Sequence, residues 1–315
     1  MHPSRGALLQ ILISTSTFNL DNFTDLSIVK GSGLEVKLNP YKARLTENQV
    51  IELLGDHTVG LIAGLESLNA GVLKKASALK VIARVGTGLD SVDCDAATRL
   101  GITVLNTPDA PTSAVAELTL GHILGLLRNI ARTDRQIRSQ NWQGQMGSLL
   151  ENKTVGVVGY GRIGRKVADL ASCFGAKIVV SDPFSKKNDF NNLPLDELCQ
   201  KVDILTLHLP YGDDTHHLIG SRQFQLMKKG SYLINVARGG LVDEIALFKM
   251  LESGHLAGAA LDCFEQEPYY GPLSKLENVQ MTAHMGTYAR ETRDQMEKEA
   301  SGLLVKALRE KKIIK

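Results

Sequence analysis

Three ionisable side chains in the last third of the chain, Arg238, Glu267 and His284, are of the types that move a proton beside a bound anion. Histidine titrates near neutrality, so it can take or give a proton at physiological pH. A neighbouring carboxylate fixes the ring and favours its protonated form. An arginine grips a carboxylate through two parallel hydrogen bonds and can polarise the carbonyl next to it. Each residue alone has an ordinary explanation: a salt-bridge partner, a solvated acid before Pro268, a packed ring at a strand end. Their common setting sets them apart, because each follows an apolar run, "SYLINVA", "GAALDCF" or "VQMTA".

Upstream, "VGVVGYGRIGRKVADLA" carries Gly159, Gly161 and Gly164 in G-x-G-x-x-G spacing, between an apolar strand pattern and an amphipathic helix pattern. That context turns a weak motif into a dinucleotide-binding expectation. The first glycine permits the tight turn, the second lets backbone approach a pyrophosphate, and the third lets the helix pack on the sheet. Asp182 stands 18 residues after Gly164. A carboxylate near that distance accepts the adenosine ribose hydroxyls and repels a 2′-phosphate, which predicts NAD over NADP. Lys186 and Lys187, close behind, weigh slightly against that preference. With a nicotinamide to carry the hydride, the trio has the types needed to interconvert a 2-hydroxy acid and its 2-keto acid.

The elements that must position these groups read as α/β. "LLQILIS", "VGLIAG", "LKVIARVG" and "GITVLN" read as strands, with helix-like segments such as "TENQVIELLG", "GVLKKASA" and "DCDAATRLG" between them. That alternation predicts a parallel sheet flanked by helices. "NTPDAPTS" interrupts it as a linker and helix start, and one long helix is expected over 113–139, with His122 a core or interface residue. The pattern restarts at "KTVGVVG", with strands expected at 177–181, 203–208, 231–236, 257–263 and 279–283 and an amphipathic helix in the tail. Ligands of an open parallel sheet bind beyond the carboxyl ends of its strands, which is where the trio falls.

Bulk properties narrow the class. The 315 residues are 43% hydrophobic, enough for two cored domains. A net charge of +2 with interspersed signs argues against a nucleic-acid partner. "MHPSRGALLQILIS" lacks the features of a signal peptide, and "AELTLGHILGLL" is too short and polar for a membrane span. Cys94, Cys173, Cys199 and Cys263 are scattered without a C-x-x-C pair, which predicts buried, reduced thiols in a cytoplasmic protein, with Cys263 a small apolar residue in a strand. His208, His216 and His217 lack the spacing of a hydrolytic metal site, so no metal is expected.

"GYGRIG", "NVARGGLVDEIAL", "LDCFEQEP" and "TAHMG", with "RVGTGLDSVD" and "NTPDAPTSAVAELTLG", together resemble the D-2-hydroxyacid dehydrogenases, most closely their phosphoglycerate dehydrogenase branch. The resemblance spans nearly the whole chain. It implies a Rossmann-type, doubly wound NAD domain over 107–285, inserted into a smaller flavodoxin-like α/β substrate domain of 1–106 and 286–315. Hinges are expected near Asn106–Pro111 and near His284–Thr287. By similarity His284 is the acid/base, Glu267 its partner and Arg238 the substrate clamp. Val85, Gly86 and Thr87 would offer backbone amides to the substrate carboxylate. Cofactor contacts map onto Thr87, Gly159, Gly161, Arg162, Ile163, Gly164, Asp182, Leu209, Ala237, Asp262, His284 and Gly286. A homodimer through the long helix and loop beginning near Thr112 is implied as well. Two departures bear on the substrate. The sequence ends after one helix, where long members continue into regulatory domains. The arginines that some members place on a substrate phosphate are replaced by "GLESLN" at 64–69 and "WQG" at 142–144, leaving Arg84 and Arg44 as candidates. A glyoxylate/hydroxypyruvate or lactate-type reductase is therefore an alternative, and a catalytically silent NAD-sensing protein is an alternative of another class.

Overall fold

The structure, a computed structural model, describes residues 8–185 and 190–315. Lys186 and Lys187 lie outside the described residues. The chain divides into two compact units, Met1–Pro111 with Thr287–Lys315, and Thr112–Gly286.

The first unit holds five parallel strands, β1 (Gln10–Ile13), β2 (Glu35–Leu38), β3 (Thr58–Ala63), β4 (Val81–Arg84) and β5 (Thr103–Asn106), in the order β2-β1-β3-β4-β5. This is the flavodoxin-like order. The central strand, "TVGLIA", is buried along its whole length, as a strand covered on both faces must be. The edge strand, "EVKL", is mostly exposed. Its two charges hide it from a search for apolar runs. The connecting helices start where the sequence supplies caps: Thr46 with Gln49 in a capping box, then Asn69 and Asp93. The returning helix Arg290–Glu310 completes this core. Met296, Ala300, Leu304 and Leu308, four residues apart on one face, join Ile11, Ile13, Ile62 and Val81.

The second unit holds seven strands, β6 (Thr154–Val158), β7 (Lys177–Ser181), β8 (Asn191–Asn192), β9 (Ile204–Leu207), β10 (Ser231–Asn235), β11 (Leu256–Leu261) and β12 (Val279–Met281). All pairings are parallel, in the order β12-β11-β10-β9-β6-β7-β8. Strand order reverses between β6 and β9, which makes the carboxyl end of β6 the topological switch point of a doubly wound sheet. Apolar clusters cover both faces, one built around Leu205, Leu233 and Ala259, the other around Val155, Val157 and Ile234.

Three expectations are corrected here. The segment expected as one helix over 113–139 is two, Pro111–Leu127 and Ile130–Arg138. Asn129 breaks it in the left-handed conformation, φ 54°, which asparagine tolerates better than most residues. Cys263 lies beyond the end of β11, in the loop that follows, although it is buried. Cys173 is exposed, so the thiols are not uniformly buried. Among the described residues no helix is long and apolar enough to cross a membrane.

Candidate functional site

The chain leaves β6 into a turn that only glycines permit. Gly159 adopts φ +87°, and a Cβ there would stand 2.5 Å from the His208 carbonyl oxygen. A Cβ on Gly164 would stand 2.0 Å from the Gly159 carbonyl oxygen, so the first turn of helix Arg162–Cys173 lies directly on the turn that precedes it. Gly161 differs: a Cβ there meets nothing within 4 Å. The two outer glycines are needed by the protein's own packing, whereas the middle one faces open space at a helix N-terminus. The first-turn amides and the positive end of a helix dipole make such a space favourable for phosphate. Arg162 is exposed there, Ile163 packs beneath, and Leu209 flanks Gly159 from the end of β9.

Asp182 follows β7 directly. Its Oδ2 accepts from the Tyr160 amide and its Oδ1 from the Phe184 amide, both at 2.8 Å. The carboxylate is thereby fixed over the glycine turn, and its remaining lone pairs can accept two hydroxyls. A dinucleotide with its pyrophosphate at Gly161 and its adenosine ribose at Asp182 fits these residues.

Arg238, Glu267 and His284 stand on three successive loops beyond β10, β11 and β12. The first two loops are in close contact, since a Cβ on Gly239 would fall 1.9 Å from the Phe264 carbonyl carbon. Asn235 holds the start of the Arg238 loop, accepting from the Ala237 amide at 3.1 Å and donating to the Arg238 carbonyl at 2.7 Å. The Arg238 guanidinium donates to the Ala237 carbonyl at 2.7 Å. His284 Nδ1 lies 2.9 Å from both Glu267 carboxylate oxygens. An ionised carboxylate only accepts, so the pairing assigns the hydrogen to Nδ1 and leaves Nε2 for another partner. Both side chains keep some exposure, 25% for His284 and 21% for Glu267. Nearby, burial pushes the Glu244 carboxyl above its ordinary range, with Glu265 and Glu267 adding to the effect.

His284 is held by a device the sequence reading missed. Asp262, buried at 0% exposure, accepts on Oδ1 from the Thr282 hydroxyl and the Met285 amide, and on Oδ2 from the Gly286 amide. Its carbonyl accepts from the His284 amide at 2.8 Å. Wrapping residues 282–286 around one carboxylate puts His284 at φ 51°, a conformation that costs a non-glycine residue roughly 1–3 kcal/mol. Behind the clamp, buried His122 bonds Thr282 and Gln280, and burial pushes its imidazole below the ordinary value, with Asp262 opposing. Asp262 and Gly286 were expected as cofactor contacts. Both take part in the 282–286 turn: the buried Asp262 carboxylate lies within it, and the buried Gly286 donates its amide to that carboxylate.

In the first unit, the loop after β4 is held by its own hydrogen bonds. The Val85 amide donates to Ala63 and the Gly86 amide to the Thr107 hydroxyl, at 2.9 and 2.8 Å. Arg84 is buried, donates to the Val85 carbonyl, and lies where a Cβ on Gly86 would be, 1.4 Å from its Nη1. Of the two candidate phosphate partners, Arg84 is buried and Arg44 is exposed. Thr87 is exposed, with its carbonyl accepting from Asn106.

His208, His216 and His217 have local partners. Burial pushes His208 down to about 3, with its Nε2 against the Thr206 hydroxyl. His216 and His217 stack at 3.9 Å, and His217 pairs with Glu265.

Comparison with known proteins agrees with this arrangement. Residues 120–286 match the family model described as "D-isomer specific 2-hydroxyacid dehydrogenase, NAD binding domain". The chain is 40% identical over 256 residues to a D-3-phosphoglycerate dehydrogenase of Methanocaldococcus jannaschii, a match covering 78% of this chain and 49% of that protein. It is 38% identical over 256 residues to a glyoxylate reductase of Aeropyrum pernix, covering 76% of each. The crystal structure of the TT0316 protein from Thermus thermophilus superposes with a TM-score of 0.87 at 34% identity, over 96% of this chain and 97% of that one. The chain spans about half the length of the phosphoglycerate dehydrogenases it matches.

Proposed function

The chain belongs to the D-isomer specific 2-hydroxyacid dehydrogenase family, and from that premise we propose that it interconverts a small 2-hydroxy acid and its 2-keto acid with NAD. The observation that carries the reading is the His284 Nδ1–Glu267 pair at 2.9 Å, on the same sheet end as the glycine turn. When bound, the nicotinamide supplies the hydride chemistry. In oxidation, Nε2 of His284 takes the hydroxyl proton while Glu267 holds Nδ1–H and balances the charge formed. In reduction the same nitrogen returns the proton to the developing alkoxide. Arg238 grips the substrate carboxylate and polarises the adjacent carbonyl. Gly161, Arg162, Ile163 and Asp182 hold the dinucleotide, with Leu209, Ala237 and Thr87 as further contacts. The unit containing the glycine turn is the cofactor domain and the other the substrate domain.

Within the class, the phosphoglycerate dehydrogenase branch is the main reading. A glyoxylate or hydroxypyruvate reductase is the second, favoured by the burial of Arg84 away from any phosphate. Ile130 and Ile137, seven residues apart on one helix, and Trp142, Met146 and Leu149 in the segment after it are all exposed. A patch of that kind is a surface a second copy would cover, which supports a homodimer. Four free thiols support a reducing, cytoplasmic setting. Rates on phosphohydroxypyruvate, hydroxypyruvate, glyoxylate and pyruvate with NADH test the reading. His284→Ala is expected to lose nearly all turnover and keep NADH binding. No turnover on any of these by the wild type would leave the NAD-sensing alternative.

A further inference from the structure

Cys263 was expected to be an inert apolar residue. Its sulfur instead reaches the proton-transfer pair: Sγ of Cys263, a carboxylate oxygen of Glu267 and a ring nitrogen of His284 lie within 4.8 Å of one another. One thiol, one imidazole and one carboxylate are three donors of the kind zinc takes, and sites with three protein ligands leave the fourth position to water. With bonds of about 2.0–2.3 Å, donors on a tetrahedral zinc stand roughly 3.3–3.7 Å apart. To close around an ion the donors must draw in by about 1 Å, with the Cys263 thiol leaving the Ala237 carbonyl it donates to at 3.4 Å. Partial exposure of Glu267 and His284 gives the ion a way in and leaves room for the water. Thiolate with imidazole favours zinc over magnesium or calcium, which take oxygen donors.

We propose that Cys263, Glu267 and His284 form a zinc-binding site that switches the protein off by capturing its acid/base pair. On binding, the Cys263 thiol releases its proton to solvent, the ring hydrogen moves from Nδ1 to Nε2 as Nδ1 turns to the metal, and no redox change occurs. Zinc takes the place of the proton shared between Nδ1 and Glu267, and with the hydrogen now on Nε2 the ring can no longer accept the substrate's hydroxyl proton there. The inhibitory consequence rests on the dehydrogenase reading, whereas binding itself does not.

The test therefore has two independent arms. Cobalt(II), a spectroscopic stand-in for zinc, is titrated into the NAD-free protein while its thiolate-to-metal charge-transfer band is followed, with zinc added afterwards to displace it. In parallel, hydroxypyruvate reduction with NADH is measured against zinc concentration. Wild type is expected to show the band and to be inhibited. Cys263→Val is expected to lose the band, keep its basal rate and need on the order of 100-fold more zinc, at least what losing a metal's supporting partner costs. Cys263→Ser serves the same purpose should the valine variant fold poorly. A cobalt complex without a thiolate band, or equal zinc sensitivity in wild type and the Cys263 variants, overturns the proposal. A thiolate band in a protein without keto-acid turnover upholds the site and removes the dehydrogenase reading instead.

Discussion

The three glycines of the turn after β6 make the same contribution to a sequence motif and different contributions to the molecule. Replacing Gly161 by alanine adds a methyl that meets no protein atom within 4 Å, at φ −78°, which alanine adopts without strain. Restricting the unfolded chain stabilises by about 0.4–1 kcal/mol. Alanine is also a poorer N-cap than glycine, by a similar amount. The two effects offset, and Gly161→Ala is expected to leave stability unchanged within about 1 kcal/mol. The methyl nevertheless fills the space in which a pyrophosphate meets the helix N-terminus, so NADH binding should weaken by about 10- to 100-fold, or roughly 1.4–2.8 kcal/mol. Gly164→Ala is the opposite case. Its Cβ would lie 2.0 Å from a backbone oxygen and 3.2 Å from Val157 Cγ1, so helix and sheet must separate. Overpacking of this kind costs about 3 kcal/mol or more, with loss of binding a by-product of unfolding. Urea denaturation and NADH fluorescence titration on both variants separate the outcomes. A Gly161→Ala protein that binds NADH as tightly as wild type would refute the placement of the phosphates.

Three further outcomes follow from the geometry. Asp182→Ser should lower the preference for NADH over NADPH in kcat/KM by about tenfold or more, roughly 1.4 kcal/mol; an unchanged ratio would mean that the Asp182 carboxylate serves only the Tyr160 and Phe184 amides. Asp262→Asn strands one buried amide of the 282–286 turn, costing about 1–3 kcal/mol, and should reduce kcat far more than NADH affinity; equal losses in both would assign Asp262 to cofactor contact after all. His208 carries an acid dependence. Its folded value of about 3 lies below the ordinary value of 6.5, so the unfolded state binds the extra proton between them. The associated stability is present above about pH 6.5 and declines as the pH falls toward 3, by about 1.4 kcal/mol per unit at most. Between about pH 7.5 and pH 5, wild type should lose roughly 2 kcal/mol more than His208→Gln in urea denaturation, and matching losses would remove His208 as the cause.

Sequence patterns make most of the scaffold legible, because a parallel strand covered on both faces must be apolar throughout, as "TVGLIA" and "TVGVV" are. They fail at edges. "EVKL" and the two-residue strand Asn191–Asn192 carry too little apolar signal to be read. The helix break at Asn129 depends on one backbone angle that other residues could have avoided. Within the site, the types and order of Arg238, Glu267 and His284 are readable, since each follows an apolar run. The burial of Asp262, the inward fold of Arg84 over Gly86 and the reach of Cys263 toward the His–Glu pair are not. Each depends on where a loop goes after its strand ends, and loops leave no periodic trace.

The left-handed backbone at His284 limits the routes by which this position could lose its chemistry over evolutionary time. Asparagine, aspartate and glycine accept that angle, whereas valine, isoleucine and threonine would unwind residues 282–286 from Asp262. A descendant that gave up turnover while keeping its fold and its nucleotide would therefore be expected to carry one of the permitted residues there, an inert copy distinguishable from an active one at a single position.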